Sequence, residues 1–407
     1  MKTLLSISFA FSLLASGSAQ DWPEFRGPSG QGHGLGKNLP AEWSQTKNVK
    51  WRTKLKGEGW SSPILVAGKV IITSAVSDGG DLALRALAFD ERTGAEIWDR
   101  ELFRARSSKK HKKNSHASPT PITDGKRVYV HFGPNGTACL DLSGRVIWKQ
   151  NDLDYPPVHG NGGSPILVDD KLIFSCDGSK NPFIVALSTE TGKVIWKRAR
   201  KSGASRKFSF STPLLITVKG KKQVISPGSG VVYALNPLNG SIIWECDYDQ
   251  GYSVVPRPLY AHGLVYVGTG FNKANLLAID PTGKGDVTDT HVRWKNSRGI
   301  SKTPSFIVVG DEIYVIADNG VAKCLDARTG AEHWDERVGG GYSSSPTYAD
   351  GKIYVHSEQG KTVVLKPGKT FKILAESELK EKTFASLAVS GSALYQRSES
   401  YLYKIQK

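Results

Sequence analysis

The chain has 407 residues, with 54 Lys and Arg against 38 Asp and Glu, for a formal net charge of +16. That length exceeds what one ordinary compact core serves, and the charge favours acidic partners over basic ones. No stretch approaches the ~20 apolar residues needed to span a bilayer, so no transmembrane segment is expected.

The chain opens with Met1-Lys2, runs apolar from Leu4 to Leu14, and turns small and polar from Ala15 to Ala19. A basic start, a short apolar core and a small-x-small site read as an export signal cleaved after Ala19. The expected division is a signal peptide over 1–19, an extension over 20–47 and a repeat domain over 48–407. No cysteine lies near the cleavage site, so no lipid anchor is expected, and the localisation read is periplasmic or extracellular.

The first strand expected is Asn48-Val-Lys-Trp51-Arg-Thr. A pattern then recurs: Ala88-Phe-Asp90, Thr93-Gly94, Ile97-Trp98. Copies end at Trp148, Trp196, Trp244 and Trp334, and another, from Ala278 to Trp294, carries a longer turn. The small residue packs in a strand, and the Asp, Asn or Ser after it caps the turn. Gly supplies the positive φ of that turn, and Trp fills the gap between units. Cys139 and Cys324 occupy the small-residue position, which reads as buried packing rather than redox or metal work. Upstream of each hairpin lies another strand pair. Its first member is announced by Ser/Thr-Pro, as at Ser61-Ser-Pro63 and Ser211-Thr-Pro213. Its second is an apolar run such as Lys352-Ile-Tyr-Val355.

Four strands per unit make a propeller blade. The fold class is therefore all-β: an eight-bladed β-propeller of four-stranded antiparallel blades. The last unit, near Ala385, offers only three strands, so the strand around Trp51 is expected to close it and remove the open edges. The seventh blade has Leu374 where Trp is expected. The docking tryptophans are Trp51, Trp98, Trp148, Trp196, Trp244, Trp294 and Trp334.

The Ala-x-Asp-x-x-Thr-Gly-x-x-x-Trp repeat resembles the pyrroloquinoline-quinone (PQQ) repeat from about residue 48 to the end. That family includes quinoprotein alcohol dehydrogenases and the BamB-like propeller of the outer-membrane β-barrel assembly machinery. The start Asp21-Trp-Pro-Glu-Phe-Arg-Gly-Pro28 is also similar to exported bacterial proteins of this type. The resemblance implies the fold. The vicinal Cys-Cys of the dehydrogenases and the lipidated Cys of the assembly protein have no counterpart among Cys139, Cys176, Cys246 and Cys324.

Propellers bind where the loops joining successive blades meet. The loop before blade two is basic, from Arg104 through Lys109-Lys-His-Lys-Lys113, and so is that before blade four, with Arg206 and Lys207. Those before blades seven and eight are acidic, with Asp335, Glu336, Glu376, Glu378 and Glu381. Candidate funnel ligands are Trp60, His116, His159, Asn161, Tyr252, Arg257, Lys302 and Tyr342. Glycines around Asn161 admit a ligand to the backbone, Trp60 offers a stacking platform, and Lys and Arg suit an anionic group. Asp286-Val-Thr-Asp289-Thr-His291 lacks the spacing of a calcium loop, and no metal is expected there. No nucleophile-elbow sequence is present.

The functional expectation is a non-catalytic binding or scaffold propeller of the bacterial envelope, a monomer that recognises an envelope protein or an anionic small molecule or glycan, without nucleic acid. No cofactor is expected in that reading. The alternative is a periplasmic PQQ-dependent oxidoreductase holding PQQ with Ca²⁺.

Overall fold

The computed structural model describes residues 21–407, so the expected export signal lies outside the described residues. The strands form eight sheets arranged as eight consecutive blades. In chain order the blades cover residues 64–106, 122–150, 166–199, 214–247, 259–296, 307–337 and 347–378. The eighth takes residues 388–406 together with Val49–Lys54. Val49–Lys54 runs antiparallel to Tyr401–Gln406, with Arg52 opposite Tyr403. The ring is therefore closed by a strand from the start of the repeat domain, as the three-stranded last unit requires.

Apolar packing lies between neighbouring blades. One cluster joins Ile71, Ala88 and Trp98 of blade one to Val128, Val130 and Leu140 of blade two. The repeat's tryptophans reach across these seams. Trp98 Nε1 donates to the Leu142 carbonyl at 3.1 Å, and Trp148 Nε1 to the Thr189 carbonyl at 2.9 Å. Trp196, Trp294 and Trp334 repeat the contact with the next turn, and Trp51 makes it with Glu91. The turn glycine lies beneath the ring. At Gly94, φ is +74° and an added Cβ would sit 2.6 Å from the Trp51 indole, so conformation and close approach both demand glycine. Burying each indole is worth about 2–3 kcal/mol by area.

Two expectations need correction. Trp244 does not dock on a neighbouring turn. The expanded turn of blade five sends Gly285–Asp286 alongside Ile242–Asp247 as a parallel fifth strand, with Gly285 opposite Trp244. Trp244 is sealed under it and donates to Gln223 Oε1 at 2.9 Å. In blade seven the position of the missing tryptophan is Ala375, which pairs with Val364 as Trp98 pairs with Ala88. Leu374 points to solvent at 40% exposure. The prolines stand directly before the innermost strands they announce: Pro63 precedes Ile64–Val66, and Pro213 precedes Leu214–Val218.

The gap over Ala375 is filled from outside the repeat. Trp43 of the extension is 3% exposed, packs in the same cluster as Ala375 and Tyr354, and is anchored by its backbone N–H to Ser377 Oγ at 2.9 Å. Its ring centroid is 6.3 Å from Tyr354. Tyr129–Trp148, Tyr314–Trp334 and Trp51–Tyr395 pair at 6.1, 6.0 and 6.2 Å within their own blades. Trp43 thus supplies, from the extension of the same chain, the ring that blade seven lacks.

The rest of the extension crosses the turn face. Trp22 exchanges backbone hydrogen bonds with Leu65 of blade one, Gly34 donates to Tyr348 of blade seven, and Lys37 to Gly391 of blade eight. All four cysteines are buried and free.

Candidate functional site: the axial funnel

The innermost strands converge on the propeller axis, and the residue beside each begins a hydrogen-bonded ring. Ser62 N–H donates to Thr120 Oγ1 at 3.0 Å, Thr120 N–H to Ser164 Oγ at 2.9 Å, and Ser164 N–H to Thr212 Oγ1 at 2.9 Å. On the other side Arg257 N–H donates to Ser305 Oγ, Ser305 to Ser345 Oγ, and Ser345 to Ser386 Oγ. Ser386 N–H then returns to Ser62 Oγ at 3.0 Å. Seven hydroxyls and one arginine therefore encircle the axis, which explains why a short hydroxyl residue recurs at blade entry. A longer side chain there would break both the ring and the channel.

Arg257 is the exception because it has another task. Its Nε donates to the Pro213 carbonyl at 3.0 Å, its Nη2 pairs with Glu24 Oε2 at 2.7 Å, and its Nη1 donates to the Phe25 carbonyl. It clamps the extension so that Phe25 enters the cavity from the turn face. Arg26, next in the chain, donates to the Phe306 carbonyl at 2.6 Å, closing the base against blade six.

Above this base is a cavity of about 300 Å³. Its upper wall is aromatic. Trp60 and Phe384 lie edge to face at 4.6 Å, and Tyr252 stacks on Phe271 at 6.4 Å. Cations stand over these rings: Lys382 over Trp60, Arg206 over Tyr252 at 4.9 Å, and Lys302 over Phe271 at 5.1 Å. His111 faces His159 at 5.7 Å. Burial holds His159 below its ordinary value, and the charges of His111, Arg206 and Lys109 lower it further.

The loop before blade two leans over the mouth. His111 N–H and Asn114 Nδ2 both reach the His159 carbonyl, at 3.2 and 2.8 Å. Lys110 pairs with Glu58 at 3.1 Å, and Lys113 with Glu358 of blade seven at 2.6 Å. Two of its basic residues are therefore partnered by carboxylates from other blades.

The eight sequence candidates are not brought to one place. Trp60, His159 and Tyr252 line the cavity. Arg257 is buried in the base. Lys302 lines a second recess of about 890 Å³, with Lys273, Lys295 and Asp318, and reaches the cavity only through its ammonium over Phe271 at the mouth. Asn161 is buried against the Phe132 carbonyl, to which its Nδ2 donates at 2.9 Å. His116 is buried at 4% exposure and held below its ordinary value by burial, then by Lys110. Tyr342 is fully buried among Trp334 and Val338. Phe25, Phe210, Phe271 and Phe384 line the cavity and were not among the candidates. Phe25 carried no repeat-based signal, since it arrives from the extension. The phenylalanines of the blade-entry loops could have been found by their spacing from the entry hydroxyls, as in Phe210-Ser-Thr212 and Phe384-Ala-Ser386.

The donor set tests whether a calcium-bound quinone fits. Among the described residues, none that lines the cavity is Asp or Glu. The amide oxygen of Asn114 is already shared between Ser115 N–H and Ser118 Oγ. A flat anionic body meets suitable rings and cations here, but a divalent cation finds no carboxylate.

Eight four-stranded blades, docked by tryptophans around an axial funnel, define a PQQ-repeat propeller. The chain belongs to the family described as "Outer membrane protein assembly factor BamB", whose profile matches residues 36–154, 85–319 and 286–370. It is 27% identical to the outer membrane protein assembly factor BamB of Alkalilimnicola ehrlichii, over 37% of this chain and 38% of that one. It is 23% identical to a polyvinylalcohol dehydrogenase of a Sphingopyxis species, over 77% of this chain and 62% of that one. The matches thus span less than two thirds of either relative. The crystal structure of BamB from Moraxella catarrhalis superimposes with a TM-score of 0.63 at 16% identity, covering 88% of this chain and 97% of that one, a likeness of fold.

Proposed function

We propose that this chain is a non-catalytic binding propeller of the bacterial envelope, exported by its first 19 residues, which engages a partner through the loop face around the funnel. The observation that carries this reading is the mouth itself, where aromatic rings lie under Lys382, Arg206 and Lys302. Aromatic rings and arginine are enriched at protein recognition surfaces, as in the pair Tyr252 and Arg206. The family name supports a role in outer-membrane assembly.

The test places a photo-crosslinking residue at Arg206 and, separately, at Val194 on an outer strand, in the host bacterium. Val194 is 45% exposed and serves as the control position. The expected result is a discrete adduct from Arg206 alone. Adducts from Val194 alone, or from neither, overturn the reading.

The second reading, a PQQ-dependent oxidoreductase, is favoured by the similarity to polyvinylalcohol dehydrogenase over 77% of this chain. It is opposed by the carboxylate-free lining. Purified protein mixed with PQQ and Ca²⁺ separates the two: dye reduction with alcohols or sugars would establish the enzyme, and absence of cofactor absorbance would remove it.

A further inference from the structure

The ring of entry hydroxyls does more than join blades. Each of the seven accepts one backbone N–H from the preceding blade. A hydroxyl that accepts one hydrogen bond still has its own O–H to donate. Among the described residues none of the seven donates to any group of the chain, although many other serines and threonines do, such as Ser61 and Ser211. All seven are at least nine-tenths buried, from Ser62 and Thr120 at 2% exposure to Ser345 at 5%. All seven line the cavity.

Buried donors without acceptors are costly, about 1–3 kcal/mol each where nothing replaces water. Here seven converge on one axis. An acceptor with several lone pairs, placed on that axis, satisfies them together. The charge around the ring selects a negative acceptor. Among the described residues no carboxylate lines the cavity. Beneath the ring, Arg257 is matched by Glu24, but Arg26 is 2% exposed with Nε and Nη1 unpartnered and no carboxylate of its own. The base therefore carries uncompensated positive charge below a crown of hydroxyl donors. Charge-assisted bonds to oxyanions are about twice as strong as neutral ones.

We propose that the axial ring is an oxyanion-binding site, taking the carboxylate or sulfate of a monosaccharide-sized acidic ligand whose flat face lies against Trp60 and Phe384. This rests on the reading of the funnel as a binding site and names what enters it. The ~300 Å³ cavity is at the small end of ligand pockets, and the loop carrying His111 and Lys113 narrows its mouth. A single acidic sugar suits that space better than a folded loop of a partner protein.

The experiment is calorimetry of the purified chain with glucuronate, glucose 6-sulfate, neutral glucose and a short aspartate-tipped peptide, at two salt concentrations. The expected result is saturable binding of the two anionic sugars, at least about tenfold tighter than glucose and weakened by salt. Two variants locate it. Phe25→Glu puts a carboxylate on the axis from the base and is expected to abolish the binding. Thr212→Val removes one hydroxyl and is expected to weaken it several-fold. Should Thr212→Val misfold for want of an acceptor for Ser164 N–H, Phe25→Glu still decides, with circular dichroism and the thermal transition as controls on folding. Absence of binding, equal binding of glucose, preference for the peptide, or unchanged binding in a folded Phe25→Glu protein would each overturn the proposal. The crosslinking at Arg206 reads partner engagement at the mouth, so its failure and the failure of the axial site are separately visible.

Discussion

Two buried histidines show how individual residues set the pH range of this fold. His131 shares its Nδ1 with Thr137 and its Nε2 with the Tyr155 hydroxyl, while His356 lies between Thr362 and Gln396. Burial alone pushes both down to about 3 from an ordinary value of 6.5. Both are therefore neutral in the folded protein at neutral pH. Below about 6.5 the unfolded chain takes up protons that the folded chain refuses, so stability falls with falling pH until about pH 3. Both histidines add to this acid-side loss across that window, because each must stay neutral to remain buried. Denaturant unfolding at a series of pH values checks this, and His356→Gln is expected to make the acid-side slope shallower.

Trp43 belongs to the same scale. Replacing it with alanine opens the seam over Ala375 and is expected to cost about 3–5 kcal/mol, as for other buried aromatics. Leu374→Ala, on a side chain 40% exposed, is expected to change stability by less than about 0.5 kcal/mol. Equal midpoints for the two variants in urea would show that Trp43 does not replace the missing repeat tryptophan. The pairing was not legible beforehand. Trp43 stands outside every copy of the motif, and its position relative to Tyr354 depends on the extension's path across the turn face.

At the scale of elements, blades four and five show how the ring absorbs an insertion. The turn from Gly283 to His291 broke the motif's spacing, and the sequence marked it as longer without saying where it goes. It goes to the neighbour: Val287 N–H donates to the Glu245 carbonyl, and Asp247 N–H to Thr288 Oγ1 at 2.9 Å. An outer strand otherwise left with unpaired backbone groups gains a partner. Replacing residues 283–290 with a short turn of the common repeat form is expected to uncover Trp244 while the ring stays folded. A red shift in tryptophan emission with an unchanged cooperative transition reports that outcome, and an unshifted spectrum contradicts it.

For the whole molecule, closure carries the stability. Blades share seams with their neighbours, so a ring has no free end only while Val49–Lys54 remains paired to Tyr401–Gln406. Deleting residues 45–56 is expected to destabilise every blade and to broaden the thermal transition into several steps, as in open repeat arrays. A product with an unchanged single transition refutes this.

What the sequence by itself determined was the local and periodic part. A period-two pattern, a positive-φ glycine and a tryptophan at fixed spacing recur because each blade solves the same packing problem. Eight blades and the closing strand follow from counting them. What only the tertiary structure decided is everything carried by residues far apart in the chain. Glu24 meets Arg257, Trp43 meets Ala375, and Lys113 meets Glu358 across the mouth. The funnel is the clearest case. Taken singly, most of its entry hydroxyls are strand punctuation, since a Ser or Thr beside a proline has no other local meaning, and Ser386 has not even the proline. Seven of them become a single crown of donors only when closure of the ring points all eight blades at one axis.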